Sequence, residues 1–97
     1  MWKETSNRQY LSADERDKAI GIFSQLLDLI DLPSDPKNYC TALRKRAQHY
    51  SLDMKFDNAL QDLNTERDIA CKCHNYRHVE ECDGLISQIT TWRDASH

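Results

Sequence analysis

Val79 is the only valine in this chain, and glycine and proline occur twice each. Sheets draw on β-branched residues, and tight hairpins draw on glycine and paired turn residues. A chain this poor in valine, glycine and paired turn residues has little material for a sheet, and the expectation is that it buries its apolar side chains between helices. Leu, Ile, Phe, Tyr and Trp recur in organised clusters although 30 % of the residues are charged, so the composition is that of a folded polar domain. Ninety-seven residues make one domain, 1–97, near the low end of what folds on a single core.

Local signals place about four helices. Residues 1–11 read as a loose N-terminal arm whose Trp2 and Tyr10 dock on the body. Ser12 to Glu15 has the form of a capping box, in which Ser12 accepts from the backbone of Glu15 and the Glu15 side chain reaches back. The first helix is expected over 13–31. Its apolar positions form two adjacent stripes, Ile20/Phe23/Leu27/Ile30 and Ala19/Ile22/Leu26/Leu29, wide enough for two neighbouring helices. Asp35 followed by Pro36 is an N-cap with proline at the first helical position, which starts a second helix running to about Ser51. A third is expected from Phe56 or Asp57 to about Asn75, and a fourth over 76–92 with Asp83-Gly84 as a candidate break. Ile20, Phe23, Leu27, Leu43, Ala47, Leu60, Leu63 and Ile86 are expected together in one core.

The run Leu43–Ile69, LRKRAQHYSLDMKFDNALQDLNTERDI, resembles a tetratricopeptide (TPR) helical hairpin. Ala47 stands at the small position of the first helix, with Tyr50 three residues on, and Phe56, Ala59 and Leu63 follow at the motif's spacings. Glu66 stands where the motif has a late alanine. The resemblance implies antiparallel hairpins with small residues at the crossing.

Several function classes find no support. A net charge of −3 is wrong for a generic nucleic-acid binder, so no direct nucleic-acid contact is expected. No stretch approaches the roughly 18 apolar residues of a membrane span. No apolar run opens the chain, so the expected setting is the cytoplasm, with four reduced cysteines. No phosphate-binding glycine loop, HExxH or GxSxG occurs, and the adjacent Glu80 and Glu81 point apart on a helix. The expectation is a protein that is not an enzyme and carries no cofactor.

One cluster has metal-ligand chemistry: Cys71, His74, His78 and Cys82 step by three, four and four residues along one helical stripe. The ends of that stripe lie about 16 Å apart at 1.5 Å per residue, too far for one ion unless the helix breaks. The expectation is therefore no stoichiometric zinc, with those four as the candidates.

Charge supplies the remaining signal. Asp17, Asp28, Asp31 and Asp35, with Gly21 and Ser24 between, follow steps of four and three and form a polar ridge. Lys37 to Lys55 is basic, carrying Arg44, Lys45 and Arg46 against one acid, Asp53. Solvated faces, with basic helix 2 paired to its acidic neighbours, account for most of this. The leading expectation is a binding module that docks on or blocks another protein or protein complex. It would use a groove between the first three helices, with Tyr39, Tyr50 and Phe56 as aromatic anchors. An alternative is the class of small phage- or mobile-element-encoded inhibitors, anti-CRISPR or anti-repair, whose acidic ridge imitates nucleic-acid phosphates and occupies a nucleic-acid-binding protein. A third is a small zinc-binding protein built on the Cys/His cluster.

Overall fold

The computed structural model describes residues 12–95, and the arm with Trp2 and Tyr10 lies outside them. It is an all-α bundle of four helices: α1 Ala13–Leu29, α2 Pro36–Leu52, α3 Phe56–Lys72 and α4 Tyr76–Ala95.

The caps read from the sequence are formed. Ser12 Oγ accepts from the Glu15 N–H at 3.2 Å, and Glu15 Oε1 accepts from the Ser12 N–H at 3.0 Å. Asp35 caps α2 by accepting from the Asn38 side chain at 2.7 Å and, at 3.4 Å, from its backbone N–H. Helix α1 is shorter than expected, because Ile30 turns to extended backbone with ψ 129°. Helix α4 runs through Asp83-Gly84 without a break to Ala95.

Helices α2, α3 and α4 begin at Pro36, Phe56 and Tyr76, a stride of 20 residues. The two links are built alike. After α2 the Lys55 N–H donates to the Tyr50 carbonyl at 2.8 Å and the Met54 N–H to that of Ser51 at 3.0 Å. After α3 the Asn75 N–H donates to the Ala70 carbonyl at 2.9 Å and the His74 N–H to that of Cys71 at 3.0 Å. Both are Schellman closures, whose pivotal residue needs the left-handed backbone that glycine adopts most readily. Here it is Met54 in one link (φ 61°) and His74 in the other (φ 60°). His74 is why α3 stops at Lys72 rather than near Asn75. A side chain in that region costs about 1–2 kcal/mol. Met54 is exposed, so Met54→Gly is expected to stabilise the chain by roughly 0.5–1 kcal/mol after the added freedom of the unfolded glycine is subtracted. Thermal melts of the two proteins measure it.

Each helix packs chiefly on its neighbours in the chain: α1 on α2, α2 on α3, α3 on α4. The core is consequently divided, where one core was expected. One cluster joins Leu27 of α1 to Cys40, Ala42 and Leu43 of α2 and Ile69 of α3, with Phe23, Ile30, Leu32 and Tyr39 packed on its margin. The other joins Ala47, Phe56, Ala59, Leu63 and Ile89, with Tyr50, Leu60, Leu85 and Ile86 around it. Of the eight residues expected to share a core, Leu27, Leu43, Ala47 and Leu63 are buried, while Ile20, Phe23, Leu60 and Ile86 are half-buried. Ala47 and Ala59 are both within 1 % of complete burial, which lets α2 and α3 approach closely. Among the described residues α1 packs substantially on α2 alone, which leaves Ile22, Leu26 and Leu29 of its second apolar stripe uncovered, while Ala19 is half-buried. Ile22, Leu26 and Leu29 are 62 %, 40 % and 82 % exposed.

Candidate functional site

Two acids of α3, Asp62 and Glu66, stand one turn apart and are buried between the clusters. An ionised carboxylate survives there only if it is paired and hydrogen-bonded. Asp62 receives a two-pronged grip from Arg46 of α2, Nη2 to Oδ1 at 2.6 Å and Nε to Oδ2 at 2.8 Å. The same guanidinium donates to Ser24 Oγ of α1 at 2.9 Å and lies 5.7 Å from the Tyr50 ring centroid. Arg46 thus ties three helices together.

Glu66 is the second node. Arg44 Nη2 lies 2.9 Å from its Oε2, and His78 Nε2 of α4 hydrogen-bonds the same oxygen. Arg44 reaches α4 as well, through Glu81 Oε1 at 3.2 Å and Cys82 Sγ at 3.9 Å. The donor atoms of Glu66, His78 and Cys82 all lie within 4.8 Å of one another. Burial, reinforced by the Glu66 charge, pushes the Cys82 thiol up to about 11, and the same two causes push Cys40 up to about 11. Both are neutral thiols near pH 7. Beside them an open cavity of about 460 Å³ is lined by Cys40, Cys73, His78 and Ile69 among others.

The Cys/His stripe expected on one continuous helix is divided by the link between α3 and α4. Cys71 is exposed near the end of α3, and His74 is exposed in the link, with its Nδ1 3.2 Å from the Tyr76 hydroxyl. Only His78 and Cys82 of the four candidates meet. Their third companion, Glu66, was missed as a ligand candidate because it lies on another helix. The signal available was its acid at a position where a helical hairpin takes alanine.

The residues singled out for partner contact fall into three settings. Asp17, Asp28 and Asp31 are exposed. Asp17 is 3.9 Å from Lys55 Nζ, Asp31 accepts from Ser34 Oγ at 2.7 Å, and Asp35 is committed to capping α2. Tyr39 and Tyr50 share a groove of about 190 Å³ between α2 and α3, with the Arg46–Asp62 pair in its lining. Phe56 is a core residue, 9 % exposed, and offers no surface anchor. The stripe Ile22/Leu26/Leu29, expected to face inward, is exposed and uncovered among the described residues.

Behind α1, the Phe23 and His49 rings stack at 5.7 Å, and His49 Nδ1 is buried with no hydrogen-bond partner. Desolvation, aided by Lys45 and Arg16, lowers the His49 pKa below its usual value. Among the described residues no helix is long and apolar enough to cross a membrane. Compared with family models, curated proteins and solved structures, the chain matches none of them.

Proposed function

We propose that the chain is a non-enzymatic protein-binding module that docks on a larger partner through the open face of α1. The observation that carries this reading is the stripe of Ile22, Leu26 and Leu29, which lies on a well-formed helix and away from its packed side. Farther round the same helix, past Lys18 and Gln25, come Asp14, Asp17 and Asp28, all exposed. The complementary partner presents an apolar strip rimmed by Lys or Arg. Apolar anchors supply most of the affinity, and the acids set orientation and on-rate.

The alternative, an inhibitor whose acids imitate phosphates, uses the neighbouring ridge and makes the opposite prediction about salt. The partner is first identified by mass spectrometry after pull-down from native lysate. It is then titrated at two salt concentrations against the Ile22→Ser/Leu26→Ser/Leu29→Ser and Asp17→Asn/Asp28→Asn/Asp31→Asn variants. The apolar triple is expected to lose at least about 100-fold in affinity, the scale of one strong hot spot. The acidic triple is expected to lose much less, with shallow salt dependence. Neither variant should shift the melting temperature much, since the replaced side chains are exposed. Full affinity in the apolar triple, with collapse of the acidic one at moderate salt, would replace docking by phosphate mimicry.

A further inference from the structure

We propose that Glu66, His78 and Cys82 form a binding site for a single divalent transition-metal ion, with zinc the best match to the donors. His78 and Cys82 stand four apart on α4, which puts imidazole and sulfur on one face, and Glu66 meets them from α3. The three donor atoms lie within 4.8 Å of one another, so small side-chain shifts bring them around one ion. Nitrogen, sulfur and carboxylate oxygen are the atoms zinc takes, and three protein ligands leave a fourth position open. His78 lines the open cavity that also holds Cys40 and Cys73, so the site is reached from the His78 side, while Glu66 and Cys82 are buried.

The charges close around such an ion. A dication is neutralised by the Glu66 carboxylate and the Cys82 thiolate. Arg44 is then balanced by Glu81, whose Oε1 it already holds at 3.2 Å. Arg44 holds both Glu66 oxygens, Nε 3.4 Å from Oε1 and Nη2 2.9 Å from Oε2, so an ion takes Oε2, the oxygen His78 meets, by displacing the Nη2 contact while Nε keeps Oε1. Arg44 is thereby a positioning residue that orients a ligand from behind. A metal takes sulfur as the thiolate, so binding breaks the Cys82 S–H bond, forms a metal–sulfur bond and releases one proton to solvent. No electrons are transferred. Affinity should therefore rise with pH across the neutral range.

The test uses the whole chain after chelator treatment, titrated with Co²⁺ as the optical probe and then with Zn²⁺. One Co²⁺ per chain is expected, with a thiolate-to-cobalt absorption band that Zn²⁺ bleaches by displacement. The Cys71→Ser/Cys73→Ser variant should keep the band and the affinity. The Cys82→Ser variant should lose the band. His78→Gln, at a half-buried position, should weaken binding beyond the roughly 10–100-fold that a change behind the ligands costs. Helical circular dichroism of each variant separates lost binding from lost folding. Binding without a thiolate band, or a band that survives Cys82→Ser and vanishes in Cys71→Ser/Cys73→Ser, overturns the site. So does the absence of binding in a folded parent chain.

Discussion

Arg46→Met is expected to destabilise the protein by about 3 kcal/mol, although the arginine side chain is 20 % exposed and would pass for a surface residue. The cost falls on its partner. Asp62 is only 6 % exposed and depends on that guanidinium at both oxygens. Methionine keeps the length and apolar stem but leaves a buried carboxylate without a cation, a loss of roughly 3–5 kcal/mol in buried pairs. Partial access of water to the site puts the value at the lower end. The contact with Ser24 of α1 and the stacking on Tyr50 disappear with it. At roughly 4–8 °C per kcal/mol for a domain of this size, the melting temperature should fall by about 12–24 °C.

The companion variant separates a charge effect from a packing effect. Replacing both partners, Arg46→Met with Asp62→Leu, removes the stranded charge and should recover most of the loss, to within about 1 kcal/mol of the parent. An interaction energy of that size comes from a double-mutant cycle measured by urea titration. A loss below about 1 kcal/mol in the single variant would place the pair among exposed ion pairs, which contribute little.

Helix identity was legible because it rests on local chemistry. The Ser12–Glu15 box and the Asp35-Pro36 start each act within one turn, and each marks its helix. The ends were less legible. Glycine would have announced the two left-handed links, but Met54 and His74 occupy them. Periodicity gave the stripes of α1 but not how many neighbours it has, since that is decided by the path of the whole chain. Hence Ile22, Leu26 and Leu29 read as core and are exposed. The ionic seam was legible only as a charge imbalance between α2 and its neighbours. That imbalance suggested pairing but did not reveal that Asp62 and Glu66 are carried inside. His78 and Cys82 were visible as an i, i+4 pair, whereas Glu66 stands 12 residues before His78 and meets it only once α3 and α4 have packed.

Leu63→Ala should cost about 3–4 kcal/mol. Leu63 is 1 % exposed at the centre of the cluster formed with Ala47, Phe56, Ala59 and Ile89. Cutting leucine to alanine in a core loses the transfer energy of the removed carbons and adds the cost of the cavity, roughly 2–5 kcal/mol in all. How far neighbours relax sets the position within that range. Two of the neighbours are themselves alanines and cannot extend into the space. The close contact of α2 and α3 through Ala47 and Ala59 also resists collapse of the backbone. The value therefore belongs around the middle of that range rather than at its lower end. Leu29→Ala is the matched control: the same chemistry at 82 % exposure should change stability by no more than about 0.5 kcal/mol. Urea denaturation of both variants, with unchanged m-values, checks the contrast. A loss under about 1 kcal/mol at Leu63 would show that the α2–α3–α4 cluster does not hold the fold together. Against a total stability of roughly 5–15 kcal/mol, the expected loss leaves a chain that still folds but melts far below its parent.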